Sequence, residues 1–275
     1  MLQAARITHR PWTRTRRLRH RNAAFAPLRP KHVLVVVAHA DDAECHAGGT
    51  IRQFADLGAE ITLLVLTDGS NGSSDPTATA AAIAAAREAE QLASAREIGI
   101  THVIFGRLKD GALENTPTLR LVISRAIRQS RAEVLITWDP QFRYDVAMSM
   151  YNHRDHRVTG DAACDAVYPE ARDPHSHPEL LAEGLHPHAV TTVLMITSTT
   201  STNFPVWLSP SQHAAKHRGI TLHQSQQGLA AEAYVFEGAH SRRYRRLWTN
   251  VQAVLRRQPK RTAEAFRRLD VSTVF

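Results

Sequence analysis

Residues 33–50, VLVVVAHADDAECHAGGT, join an apolar β-branched run to a histidine and three carboxylates. The run Val33 to Val37 fits a strand buried on both faces, as in the middle of a parallel sheet. The carboxyl ends of such strands are where open α/β sheets place their chemistry. His39, Asp41, Asp42 and Glu44 stand at that end. Burying so many carboxylates is costly unless a cation neutralises them. A divalent metal meets that need.

The rest of the chain alternates strand-like and helix-like segments. Gly48-Gly49 open an expected helix through Leu57, with Gly58 as its C-cap, and Ile61–Leu66 reads as a second strand. A turn-rich loop over 67–76 precedes an Ala-rich helix at 77–98. His102–Phe105, Glu133–Thr137 and Val190–Thr197 read as further strands, with helices at Leu119–Gln129 and 156–167. Segment 169–188 is irregular, and the chain is expected to finish in helices. This order predicts an α/β fold, a Rossmann-like, mostly parallel sheet flanked by helices, in a single domain over 32–240.

The 275 residues hold only two cysteines, Cys45 and Cys164, which argues against a disulfide-stapled secreted scaffold. No apolar stretch reaches the length of a membrane span, and the N-terminus lacks a signal-peptide core, so a soluble cytoplasmic protein is expected. The net charge of +8 is unevenly placed. Residues 1–31 carry nine Arg or Lys and no acid, and residues 242–268 carry ten against Glu264 alone, which leaves the remaining body near −10. The first segment reads as a basic arm outside the fold, rather than as a surface for nucleic acid or acidic membrane. Residues 241–275 read as a basic helical extension, amphipathic through Tyr244, Leu247, Trp248, Val251, Val254 and Leu255.

Phosphate loops, the G-x-G-x-x-G fingerprint, the G-x-S-x-G elbow and H-E-x-x-H are all absent. What remains is the first cluster and a second, Tyr151-Asn152-His153-Arg154-Asp155-His156. Both follow expected strands, so both fall along one sheet edge. Two imidazoles and one carboxylate with an open water position form a hydrolytic zinc arrangement. Adjacent Asp41 and Asp42 project differently, so one can ligate while the other accepts a proton. The histidines at 175, 177, 186 and 188 read as a solvated loop.

In order and spacing, His39-Ala40-Asp41-Asp42-Ala43-Glu44, Gly48-Gly49-Thr50 and His153-Arg154-Asp155-His156 resemble the PIG-L/LmbE-like zinc de-N-acetylases. Thr67-Asp68-Gly69, Arg87-Glu88, Asp110-Gly111, Lys216 and His223-Gln224-Ser225-Gln226 extend the likeness, which covers about residues 32–235. The resemblance implies Zn2+ held by His39, Asp42 and His156, with Asp41 as general base toward the activated water. It implies that His153 stabilises the oxyanion or protonates the leaving amine, that Tyr151 lends a phenol, and that Asp155 orients a histidine. Arg87, Asp110 and His223 become expected substrate contacts, while Glu44 reads as a helix N-terminal charge or a partner behind the ligands.

Two departures stand out. Ala40 occupies the position of a usual proline, which loosens the turn without removing a ligand. Residues 202–208 lack an acid that relatives often carry. The implied activity is removal of an N-acetyl group from an N-acetylglucosaminyl-type conjugate, a small-molecule substrate. The competing readings are an amidase acting on a larger acyl group and a non-catalytic metal- or nucleic-acid-binding protein. Assembly as a homo-oligomer stays open.

Overall fold

The computed structural model describes residues 27–146, 149–226 and 262–271. In chain order the elements are β1 (His32–Val37), α1 (Asp42–Asp56), β2 (Glu60–Thr67), α2 (Ala80–Ile98), β3 (His102–Leu108), α3 (Pro117–Ser130) and β4 (Val134–Trp138). They continue with β5 (Tyr144–Asp145), β6 (Met150–Tyr151), α4 (Arg154–Asp165), α5 (Pro178–Ala182), β7 (Thr192–Ile196), β8 (Phe204–Leu208), α6 (Pro210–Thr221) and β9 (Thr262–Asp270). The main sheet runs β3-β2-β1-β4-β7-β9-β8, and β5 and β6 form a separate small hairpin. Strands β3, β2, β1, β4 and β7 pair in parallel, whereas β9 runs antiparallel to both β7 and β8.

Strand β1 is buried from Val33 to Val37, and its alternate side chains enter two different cores. Val33, Val35 and Val37 pack with Ala43, Ala47, Ile51 and Phe54 of α1 and with Ala95 and Ile98 of α2. Leu34 and Val36 pack with Leu119, Ile123 and Ile127 of α3 and with Ala162 and Ala163 of α4. Helices therefore cover both faces, as a parallel sheet requires. Chain order reverses between β1 and β4, and in open α/β sheets that reversal opens a crevice at the carboxyl edge. The single-domain, mostly parallel architecture matches expectation.

Several local expectations need correction. Helix α1 begins at Asp42, not at the glycines. Gly48 and Gly49 lie inside it because neighbours press on its surface. A Cβ on Gly48 would stand 3.2 Å from Lys216 Cγ, and one on Gly49 would stand 2.2 Å from Leu208 Cδ1. The C-terminal helical extension is also corrected where it is described, because residues 262–270 form a strand. Glu264, Phe266 and Arg268 are buried at every second position, the period of a strand. Counting Arg and Lys hid that period, because Arg268 is buried over the Phe204 ring and paired with Asp270. Residues 1–26 of the basic arm over 1–31, and residues 241–261 and 272–275 of the extension over 241–275, lie outside the described residues.

The His-rich loop is less solvated than its composition suggests. His177 is buried with Nε2 2.8 Å from Glu170 Oε2, and His188 Nε2 donates to the Ala132 carbonyl at 2.7 Å. Among the described residues no helix is long and apolar enough to cross a membrane.

Candidate metal and catalytic centre

The carboxyl end of β1 turns directly into α1, and Asp42 sits in the first helical turn. Its Oδ2 accepts the backbone N–H groups of Ala38 and His39 at 3.1 and 3.0 Å and the indole N–H of Trp138 at 3.3 Å. Its Oδ1 lies 3.1 Å from His156 Nε2. Burial alone would raise the Asp42 pKa, but His156, His39 and the backbone donor outweigh it and hold the carboxyl well below the usual range.

His39 ends β1 with its two nitrogens committed to different neighbours. Nε2 faces Asp110 Oδ1 at 3.1 Å and Asp155 Oδ2 at 3.7 Å. Nδ1 faces His156 Nε2 at 3.2 Å and Asp42 Oδ2 at 3.7 Å. Burial works to lower the His39 pKa, yet hydrogen bonds and charge from Asp110, Asp155 and Asp42 carry it up to about 10.

His156 comes from the first turn of α4, and its Nδ1 donates to Asn152 Oδ1 at 2.7 Å. Asn152 is itself fixed, donating through its side chain to the Phe142 carbonyl at 2.8 Å and through its backbone N–H to the Arg143 carbonyl at 2.8 Å. The outer nitrogens of both histidines are thus engaged, and His156 Nε2 stands 3.2 Å from His39 Nδ1 and 3.1 Å from Asp42 Oδ1. With neutral imidazoles those three lone pairs repel unless a cation sits among them. Two imidazoles and a carboxylate, each oriented from behind, suit a divalent metal such as zinc.

His153 stands at the rim. It is the N-cap of α4, with Nδ1 accepting the Asp155 N–H at 3.1 Å, and its ring centroid lies 4.8 Å from that of His39. Burial and the nearby His39 and His156 lower its pKa.

Asp41 adopts φ 94°, a left-handed backbone that costs a non-glycine residue about 1–2 kcal/mol. Its N–H donates to Gln91 Oε1 at 3.1 Å, and Gln91 in turn donates to Glu44 Oε1 at 2.7 Å. Arg87 Nη2 lies 3.5 Å from Asp41 Oδ1. Burial pushes the Asp41 carboxyl up to about 7 against the opposing pull of Arg87.

The structure thus brings His39, Asp41, Asp42, His153, Asp155 and His156 together. Four expected roles change. Arg87 is buried and donates to the carbonyls of Ala40 and Gly69 at 2.6 and 3.3 Å, so it braces the loops around Asp41 and does not project toward a sugar. Asp110 is spent on His39 and the Asn71 N–H. His223 is 2% exposed and faces Glu44 Oε2 at 3.5 Å, behind the site. Tyr151 is 88% exposed on β6, with its ring 6.2 Å from that of Tyr144. Trp138, Asn152 and Gln91 carried no role in the sequence reading. Only Asn152 had a visible cue, four residues before His156 within the second cluster.

Known proteins resemble this chain in sequence and in fold. The family profile described as GlcNAc-PI de-N-acetylase (PIG-L) matches residues 34–167. The diacetylchitobiose deacetylase of Thermococcus kodakarensis is 31% identical over 196 residues, covering 71% of this chain and 70% of that protein. A 1D-myo-inositol 2-acetamido-2-deoxy-alpha-D-glucopyranoside deacetylase of Rhodococcus erythropolis is 31% identical over 176 residues, covering 54% of this chain and 59% of its own length. In fold, the chain is similar to the N,N'-diacetylchitobiose deacetylase of Pyrococcus horikoshii, at TM-score 0.71 and 24% identity over 88% of this chain and 84% of that one. It is also similar to a 4-carboxy-2-hydroxymuconate hydratase from Pseudomonas putida, at TM-score 0.66 and 18% identity over 89% and 98% of the two chains, so fold alone does not choose the reaction. Sequence supplies what the fold does not: the chain belongs to the PIG-L family of de-N-acetylases.

Proposed function

We propose that the protein hydrolyses the N-acetyl group of an N-acetylglucosaminyl-type sugar conjugate, with zinc held by His39, Asp42 and His156. One observation carries this reading. Residues of two distant clusters meet at His156 Nε2, which lies 3.2 Å from His39 Nδ1 and 3.1 Å from Asp42 Oδ1, each side chain held by its own hydrogen bonds, beside a carboxyl poised near neutrality. The names of the relatives, which act on diacetylchitobiose and on a GlcNAc-inositol, support the substrate class.

When bound, such a metal supplies Lewis acidity, acidifying a water and polarising the amide carbonyl. The chain's own groups do the rest. Asp41, raised to about 7, accepts the proton of the attacking water and returns it to the departing nitrogen. The water oxygen bonds to the carbonyl carbon first, and the C–N bond breaks afterwards as the nitrogen is protonated, giving a free amine and acetate. His153 has Nδ1 occupied by the Asp155 N–H, which leaves Nε2 to donate to the developing oxyanion or to the amine. Asp110 and Asp155 hold the His39 ring, while Arg87 and Gln91 hold Asp41.

The test is amine release from a panel of N-acetylated amino-sugar conjugates. Activity is expected to vanish with a strong chelator and return with Zn2+, and to fall about 10²–10⁴-fold in Asp41→Ala. Chelator-resistant turnover, or a fully active Asp41→Ala enzyme, overturns the proposal. Release from longer acyl chains but not from acetyl would favour the larger-acyl amidase.

A further inference from the structure

The geometry points to Trp138 as a positioning residue that sets two of the three metal ligands at once, an inference that rests on the metal reading above. Trp138 is the last residue of β4, and its side chain is buried among the groups that define the site. Its ring stacks on His156 with centroids 3.8 Å apart and planes within 6°. Its indole N–H donates to Asp42 Oδ2. On another side the His46 imidazole packs edge-on at 4.7 Å. A single aromatic therefore touches a nitrogen ligand through its face and an oxygen ligand through its edge.

The N–H contact decides which carboxylate oxygen is left for the ion. A carboxylate oxygen is well supplied by two donors, and Asp42 Oδ2 has three, the N–H groups of Ala38, His39 and Trp138. That saturation leaves Oδ1, the atom 3.1 Å from His156 Nε2, as the one able to ligate. Stacking performs the matching task for His156. Asn152 fixes the ring at Nδ1, but a single hydrogen bond leaves the plane free to rock about it. The parallel indole removes that freedom, keeping Nε2 aimed at Asp42 Oδ1.

Partners behind metal ligands typically account for 10–100-fold in metal affinity when removed. Trp138 serves two ligands and has no formal charge, so its loss leaves the net charge of the site unchanged. The same contact makes it a reporter, because an indole stacked on a ligating imidazole loses emission when a paramagnetic ion binds there. The chain has four tryptophans, and the difference between wild type and W138F isolates this one.

The experiment titrates metal-free full-length protein with Co2+, following affinity by competition with a chromophoric chelator, the cobalt d–d spectrum and indole emission. Wild type is expected to bind one ion with loss of Trp138 emission. W138F keeps a stacking ring without the N–H, and a roughly tenfold weaker affinity with an altered spectrum is expected. W138L removes both contacts, and the loss should approach a hundredfold. Thermal melts confirm that each variant is folded, and W138F carries the test if W138L is not. Wild-type affinity and spectrum in W138F overturn the inference while leaving the metal reading intact. A wild-type chain that takes up no cobalt overturns the metal reading and the inference with it.

Discussion

Gly160 offers a sharp test of how α4 is seated. It lies one helical turn beyond His156, on the same face of the helix. A Cβ at this position would stand 2.2 Å from the Trp138 carbonyl oxygen, 2.9 Å from its carbonyl carbon and 3.0 Å from Pro140 N. All three are backbone atoms, so no side chain can swing aside. In Gly160→Ala the helix must retreat from the end of β4 by roughly 1 Å to restore an ordinary contact. His156 Nε2 would then move from 3.1 Å to about 4 Å from Asp42 Oδ1, and its ring would lift from Trp138.

Two opposing terms act on stability. Alanine improves helix propensity by about 1 kcal/mol, whereas overpacking costs about 1–3 kcal/mol. The net change is therefore small, on the order of 0–2 kcal/mol of destabilisation. Activity is far more sensitive, since misplacing a reacting group by about 1 Å can cost 10²-fold. Gly160→Ala should melt within a few degrees of wild type yet lose about two orders of magnitude in amine release and bind Co2+ more weakly. A variant that is more stable by the full propensity gain and also fully active would show that α4 does not rest on the Trp138 carbonyl.

Other outcomes can be checked with the same assays. Asp41→Gly relieves the left-handed backbone at φ 94° but removes the proposed base and the carboxylate beside buried Arg87, so the two stability effects oppose and the melting temperature should stay within a few degrees of wild type while turnover falls about 10²–10⁴-fold. Glu264→Ala removes the partner 2.9 Å from Lys216 Nζ and the acceptor for the Gly49 and Thr50 N–H groups, so a loss of about 3–5 kcal/mol is expected, read as a drop of about 10 °C by calorimetry. A near-native melt for Glu264→Ala would mean that this buried pair does not anchor α1.

Much of the fold was legible because a parallel sheet writes itself as long apolar runs. Val33–Val37 and Ile61–Leu66 contain almost nothing else, and their strands fall where the pattern puts them. The proposed ligands stood out for a different reason, since His39, Asp41 and Asp42 at the end of such a run pair with a second cluster at His153–His156. The residues that hold the ligands were harder to see. Trp138 reads as one more core aromatic, and Gln91 as a polar position on an Ala-rich helix, until the coordinates place them against Asp42 and Asp41. Arg87, Asp110 and His223 were seen as functional but assigned outward, because spacing does not reveal which way a buried charge points. Strand β9 was missed because its inward positions include Glu264 and Arg268, paired charges that break the apolar alternation by which a strand is usually recognised.

That last strand has a bearing on how the protein is made. Glu264 reaches across 214–215 residues to hold the helix that begins at Asp42. Ribosomes deliver roughly 5–20 residues per second, so on the order of 10–40 seconds separate the synthesis of the helix from that of its anchor. Once residue 156 is made, the candidate ligands His39, Asp42 and His156 are all present, but the platform beneath α1 stays incomplete for about 100 residues more. A chain halted before residue 262 would display these residues on a helix not yet fastened down by Glu264.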